Sequence, residues 1–297
     1  MKTFLLALAA VPLLAALPAG AGELRVTNDR GVTGFAFPES CAYDPGQKVL
    51  YVGEFGGEKL APAEKDGKGS IARVSLDGKK IERRFFTGTA EQPMNKPKGI
   101  WVRGNRMWVT DIDAVWVFDT KTKKSRRLAV PLVFANDPAI MGNALYVTDN
   151  RGDKLIRIEP ADFLDAKVEP KISTVFEKAG VGPNGVAPGR GGKLLIVGFQ
   201  PPEARAIYTV DKNGKVEAIS EPLGRLDGVM QLADGSLLVT NWATSSLFQW
   251  SERTGALHLA RDFKGPADFC VIPGKGSEMT VVVPDLPGGV LRFISVK

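Results

Sequence analysis

One phrase recurs six times along this chain, and that recurrence limits the possible folds more than any other feature. The copies are Pro38-Glu39-Ser40-Cys41, Pro97-Lys98-Gly99-Ile100, Asn136-Asp137-Pro138-Ala139, Pro183-Asn184-Gly185-Val186, Leu226-Asp227-Gly228-Val229 and Ala267-Asp268-Phe269-Cys270. Each leads into a turn and then a strongly apolar segment that stops on a polar or turn-like residue. These segments are Leu50–Glu54, Met107–Asp111, Leu145–Asp149, Leu194–Gly198, Leu237–Asn241 and Thr280–Asp285. Six copies at intervals of roughly forty to sixty residues mean six copies of one structural unit.

Third and fourth strands follow from β-branched and aromatic content and from turn residues. In the second copy they are Ala114–Phe118 and Lys124–Val130. In the fifth they are Ser246–Trp250 and the segment around Leu257, joined by the turn Glu252–Gly255. Four short strands per unit describe a propeller blade, so the chain reads as all-β, a six-bladed β-propeller. Helical periodicity is nearly absent, and Ala161–Val168 is the one short helix expected. The sixth unit has only three strands before Leu291–Val296 ends the chain, while Glu23–Val26 precedes the first repeat without a partner. Pairing this N-terminal strand with blade six completes that blade, closes the ring and removes two exposed edges.

Residues 1–21 carry a charged start, an apolar run from Phe4 to Leu17 and the small-residue stretch ending Ala19-Gly20-Ala21, the pattern of a secretory signal peptide. The apolar run is shorter than a membrane span requires. Residues 22–297 are therefore expected as one exported propeller domain, periplasmic or secreted, with no stable membrane span after cleavage and most simply a monomer. The net charge of +6 is dispersed, and its densest run, Lys121–Arg127, falls between two outer strands as a solvated edge rather than a nucleic-acid site. The chain holds a single histidine, His258, in a strand far from the repeats. A Ser-His-Asp site has no other histidine to use, and a multi-histidine zinc site is excluded.

Innermost strands line the channel of a propeller, so equivalent residues of the repeats should converge: Glu39, Lys98, Asp137, Asn184, Asp227 and Asp268, with Asn136 beside Asp137. These polar groups could simply bond channel-end backbone and ordered water. Four carboxylates in one ring nevertheless repel unless a cation or the Lys98 ammonium offsets them. All-oxygen donors suit a hard divalent cation, Ca²⁺ first, with Mg²⁺ or Mn²⁺ as alternatives and Zn²⁺ less favoured. Cys41 and Cys270 each lie two residues past the site position of neighbouring blades, where a disulfide would staple the ring. Equivalent positions of adjacent blades commonly exceed the ~7 Å Cα limit, so the expectation is two buried thiols, with a bridge as the open alternative.

Glu39, Asn184 and Asp227, arriving in that order from blades one, four and five, resemble the metal-binding trio of the gluconolactonase and regucalcin family, and Asn136-Asp137 resembles its Asn-Asp pair. The resemblance implies one divalent cation in the channel and hydrolysis of a sugar lactone or related ester as the small-molecule substrate. On that reading Glu39, Asn184 and Asp227 hold the metal, Asp227 or, second, Asp137 serves as the base, and Asn136 and Lys98 position the substrate. The chain departs from the family at Phe134, where an Arg that helps hold the substrate is usual, and in the short connection after Asp137. A non-catalytic propeller that binds a ligand or a protein is the other class of function compatible with the same residues.

Overall fold

The computed structural model describes residues 22–297, and the signal peptide read at 1–21 lies outside them. Strand β1 (Val26–Thr33) is followed by blade one, β2 (Pro38–Asp44), β3 (Val49–Glu54), β4 (Ser70–Ser75) and β5 (Ile81–Phe86). Blade two is β6 (Pro97–Arg103), β7 (Arg106–Asp111), β8 (Ala114–Asp119) and β9 (Ser125–Ala129). Blade three is β10 (Ala135–Met141), β11 (Ala144–Asp149), β12 (Lys154–Glu159) and β13 (Lys171–Glu177). Blade four is β14 (Pro183–Pro188), β15 (Leu194–Gly198), β16 (Ile207–Val210) and β17 (Val216–Ala218). Blade five is β18 (Leu226–Gln231), β19 (Leu237–Asn241), β20 (Ser246–Ser251) and β21 (Gly255–Ala260). Blade six is β22 (Cys270–Pro273), β23 (Met279–Asp285) and β24 (Val290–Val296), completed by β1. The fold is thus a six-bladed propeller of four-stranded antiparallel blades.

Closure by the N-terminal strand is as expected, but the strand lies farther along than Glu23–Val26. Backbone bonds join Arg25 to Lys297, and β1 then pairs with β24 from Val26↔Val296 to Thr33↔Val290. The expected helix at Ala161–Val168 is instead an irregular loop. Asp162 and Asp165 accept the N–H groups of Leu164 and Lys167, which favours turns over helix. The loop is held by Trp108 Nε1 on the Ala161 carbonyl and by Arg126 on the carbonyls of Phe163, Asp165 and Val168. Arg126, from the basic run, is therefore a structural residue. Among the described residues no helix is long and apolar enough to cross a membrane.

The hydrophobic core is divided among the six blade interfaces. Met107, Val109 and Trp116 of blade two pack with Tyr51 and Ile71 of blade one, and each further interface has its own apolar cluster, through to Val282 and Phe293 of blade six against Leu50 and Val52 of blade one. That last cluster holds Cys41 and Cys270, which are disulfide-bonded, so the expectation of two thiols is corrected. Their Cα atoms are 5.5 Å apart, inside the bridging range, because β2 and β22 run side by side at the closure.

Two devices bring the inner strands together. In blades one to five the ladder between the innermost strand and the next carries one extra inner-strand residue at the site position, for example between Ala135 and Pro138. Such bulges turn a side chain out of the pleat and strengthen the local twist. The second device is a hydroxyl staple. Thr148 Oγ1 accepts from Asp137 N at 2.9 Å within blade three and donates to the Asn184 carbonyl of blade four at 2.6 Å. Thr240 does the same between Gly228 N and the Ala267 carbonyl, and Thr110 donates to the Asn136 carbonyl.

Candidate active site

The acidic residue that ends many second strands is structural. Asp111 accepts the backbone N–H groups of Asn95 and Lys96, Asp149 those of Val133 and Phe134, and Asp285 those of Lys264 and Gly265. Each fixes the loop that delivers its blade's innermost strand to the channel. In every blade but the second, the residue that follows the second strand lines the mouth: Phe55, Asn150 with Arg151, Phe199, Trp242 and Leu286. These side chains, with Leu60, Pro62, Phe134, Gln200 and Pro201, wall a cavity of about 460 Å³.

Glu39, Lys98, Asn136, Asn184 and Asp227 all line this cavity, so the structure brings five of the six predicted site residues together. The sixth, Asp137, is buried outside the lining, and its Oδ2 accepts the Val186 N–H at 2.8 Å. The Asn136 amide N–H₂ donates to Asn184 Oδ1, and that carbonyl keeps a second lone pair. Asp227 Oδ2 accepts from Trp242 Nε1 at 2.8 Å, which leaves Oδ1 for other partners. His258 is on blade five's outer strand, its Nδ1 3.0 Å from Ser246 Oγ, away from the cavity as expected. Trp101 packs in the core beside blades two to four and does not reach the cavity.

The carboxyl groups do not tolerate full ionisation in this setting. Burial holds the Glu39 carboxyl well above the usual range, the Asp227 charge pushes it further, Lys98 pulls it back, and Asp268 adds to the rise. Asp227 is raised by burial and then by Asp268, against the Trp242 hydrogen bond. Asp137 is raised by burial and Asp268, opposed by the Val186 N–H. Asp268 is pushed up to about 7 by burial. Burial also brings the Lys98 ammonium down to about 8, with Glu39 and Asp111 acting in the opposite sense. Lys98 pairs with none of these carboxylates: its Nζ donates to the Lys96 carbonyl at 3.3 Å and sits 4.2 Å from the centre of the Phe134 ring.

Glu39 Oε2 is buried without a hydrogen-bond partner. An orphaned carboxylate oxygen, an amide carbonyl and a carboxylate, from the inner strands of blades one, four and five and amid mutually repelling acids, are donors of the type a hard divalent cation takes. Only two of the three donors are acidic, and among the described residues no group of three or more His, Cys, Asp or Glu side chains is placed to hold a metal. Any cation here depends on the Asn184 amide.

Two residues of the site escaped the sequence reading. Trp242 donates to Asp227, and Arg151 brings a guanidinium to the cavity, 4.1 Å from the centre of the Phe134 ring. The readable signal was positional, since both lie within two residues of the end of a second strand, as do Phe55, Phe199 and Leu286.

No family model and no curated protein matches the sequence. Solved structures do. A gluconolactonase from Xanthomonas campestris aligns with a TM-score of 0.63 at 15% identity, covering 97% of this chain and 99% of its own. Structurally the chain resembles gluconolactonase and regucalcin propellers. A calcium-binding regucalcin from Agrobacterium tumefaciens gives 0.60 at 14% identity over 89% and 92% of the two chains. A catalytically inactive virginiamycin B lyase from Staphylococcus aureus, solved with quinupristin, gives 0.60 at 15% over 92% and 99%. At these identities the likeness is one of fold.

Proposed function

We propose that this protein is an exported, divalent-cation-dependent hydrolase that opens a lactone or related ester in the central cavity. The observation that carries the reading is the buried, unpartnered Oε2 of Glu39, a residue that lines the same cavity as Asn184 and Asp227. Glu39, Asn184 and Asp227 would hold the cation, Ca²⁺ by preference, which supplies Lewis-acid polarisation of the substrate carbonyl when bound.

The chain's own residues account for the rest. Asp227, with Oδ2 fixed by Trp242, takes a proton on Oδ1 from the attacking water. The water oxygen bonds to the carbonyl carbon, the ring C–O bond breaks, and the proton passes to the leaving oxygen to give a hydroxy acid. Asn136 and Lys98 face the substrate, and Phe55, Phe199 and Trp242 keep bulk water out. Asp137, committed to Val186 N, positions blade four and serves less well as a base. The disulfide suits an oxidising compartment and supports export.

The test is calorimetric titration of residues 22–297 with Ca²⁺, together with turnover of a panel of aldonolactones and aryl esters. Glu39→Gln and Asp227→Asn are each expected to weaken cation binding at least tenfold and abolish turnover. A parent that binds no divalent cation sinks the assignment. Binding without turnover on the panel moves the protein to the ligand-binding class.

A further inference from the structure

Two cations of the cavity lack an anionic partner. Lys98 is 1% exposed, yet it forms no ion pair among the described residues. Its neighbour Lys96, equally buried, shows what a matched ammonium looks like here, pairing with Asp66 at 2.8 Å and donating to the Phe55 carbonyl. Arg151 likewise forms no ion pair or hydrogen bond among the described residues, and its one contact of note is with the Phe134 ring. Lys98 and Arg151 therefore approach the same aromatic ring, at 4.2 and 4.1 Å from its centre. A buried ammonium left to a carbonyl and aromatic rings is costly unless something outside the chain completes it.

The remaining walls say what kind of molecule that is. Phe55, Leu60, Phe199, Trp242 and Leu286 are apolar or aromatic, and Trp242 and Phe199 meet edge to face with centroids 5.6 Å apart. This apolar surface gives a hydrocarbon or aromatic body something to bury against, beside the amides of Asn136, Asn150, Asn184 and Gln200. Glu39 and Asp227 share the cavity, so a dianion meets more repulsion than a monoanion. We propose that Lys98 and Arg151 form an anion subsite astride Phe134, and that the cavity takes an amphipathic monocarboxylate, an acid group on an aromatic or aliphatic body. The proposal rests on the reading that the central cavity is the substrate site, and it is independent of the cation and of hydrolysis.

Binding of phenylacetate, 3-phenylpropionate and the neutral analogue phenylacetamide to the folded parent, followed by calorimetry and tryptophan fluorescence, tests it. The acids are expected to bind at least tenfold more tightly than the amide. Arg151→Gln should cut that ratio at least threefold, Arg151→Lys should restore part of it, and Arg151→Gln with Lys98→Met should bring it to about one. Arg151 is exposed, so the single variant keeps the test independent of any folding defect from replacing buried Lys98. Equal binding of acid and amide, no binding of either, or a ratio unchanged by Arg151→Gln overturns the subsite. Glu39→Gln separates the two readings: it should weaken cation binding at least tenfold yet leave the acid-to-amide preference above tenfold.

Discussion

The bond between Cys41 and Cys270 closes a loop of 229 residues, almost the whole ring. In the chain-entropy treatment a loop of that length restricts the unfolded ensemble by about 18 cal/mol/K, or about 5 kcal/mol at 25 °C, toward the upper end of measured effects. At roughly 2–4 °C per kcal/mol for a domain of this size, losing it should lower the melting temperature by roughly 10–20 °C. The perturbations are Cys41→Ala, Cys270→Ala and the double variant, with alanine chosen because a serine hydroxyl at 41 would reach the Val282 carbonyl, 3.1 Å from the Cys41 sulfur, and so add a bond while the crosslink is lost. Differential scanning calorimetry, with and without reductant, is the assay. If the crosslink is the source of stability, each single variant loses nearly as much as the double and reductant does the same to the parent. Single-variant losses that sum to the double would assign the effect to packing alone and refute the reasoning.

Three further outcomes follow from the site. Asp268 has its carboxyl raised from 3.8 to about 7, so the folded state holds a proton that the unfolded state has released; its contribution to stability is complete below about pH 4 and is lost as pH rises to 7. In chelator, Asp268→Asn should therefore gain stability over the parent across that window, with a ceiling of about 4 kcal/mol from three units at 1.36 each, and a pH-independent difference in chemical denaturation would contradict it. Gly99→Ala places a methyl group against the Asp137 side chain and Pro138 Cδ of the next blade, and should cost about 1–3 kcal/mol by thermal melting. Trp242→Phe keeps the apolar wall but removes the donor to Asp227 Oδ2, and should lower kcat about tenfold with little change in melting temperature.

The blade count, and the convergence of Glu39, Lys98, Asn136, Asn184 and Asp227 on one cavity, were legible because each blade repeats a related inner-strand phrase, and the second strands lie within one residue of their expected limits. What escaped notice depends on neighbours distant in sequence. Asn28-Asp29-Arg30-Gly31 has the composition of a turn, yet β24 draws it into a strand. Ala161-Asp162-Phe163-Leu164 has the look of a helix start, but the Ala161 and Phe163 carbonyls are claimed by Trp108 and Arg126 and Asp162 caps a local turn. The disulfide depended on how closely two strands 229 residues apart approach at the closure. Arg151 and Phe134 meet only because Asp149 folds the loop before β10 back beside the end of β11.

Closure by β1 and β24 also makes the fold a check on its own completeness. A translation product that stops before Val290 lacks the partner for β1, and one that stops before Cys270 lacks the bridge as well. Such a product presents two open sheet edges, which favour pairing with other chains or exposure to proteases. Closure of the ring is thereby tied to the seven residues of β24, far in sequence from the strand they complete.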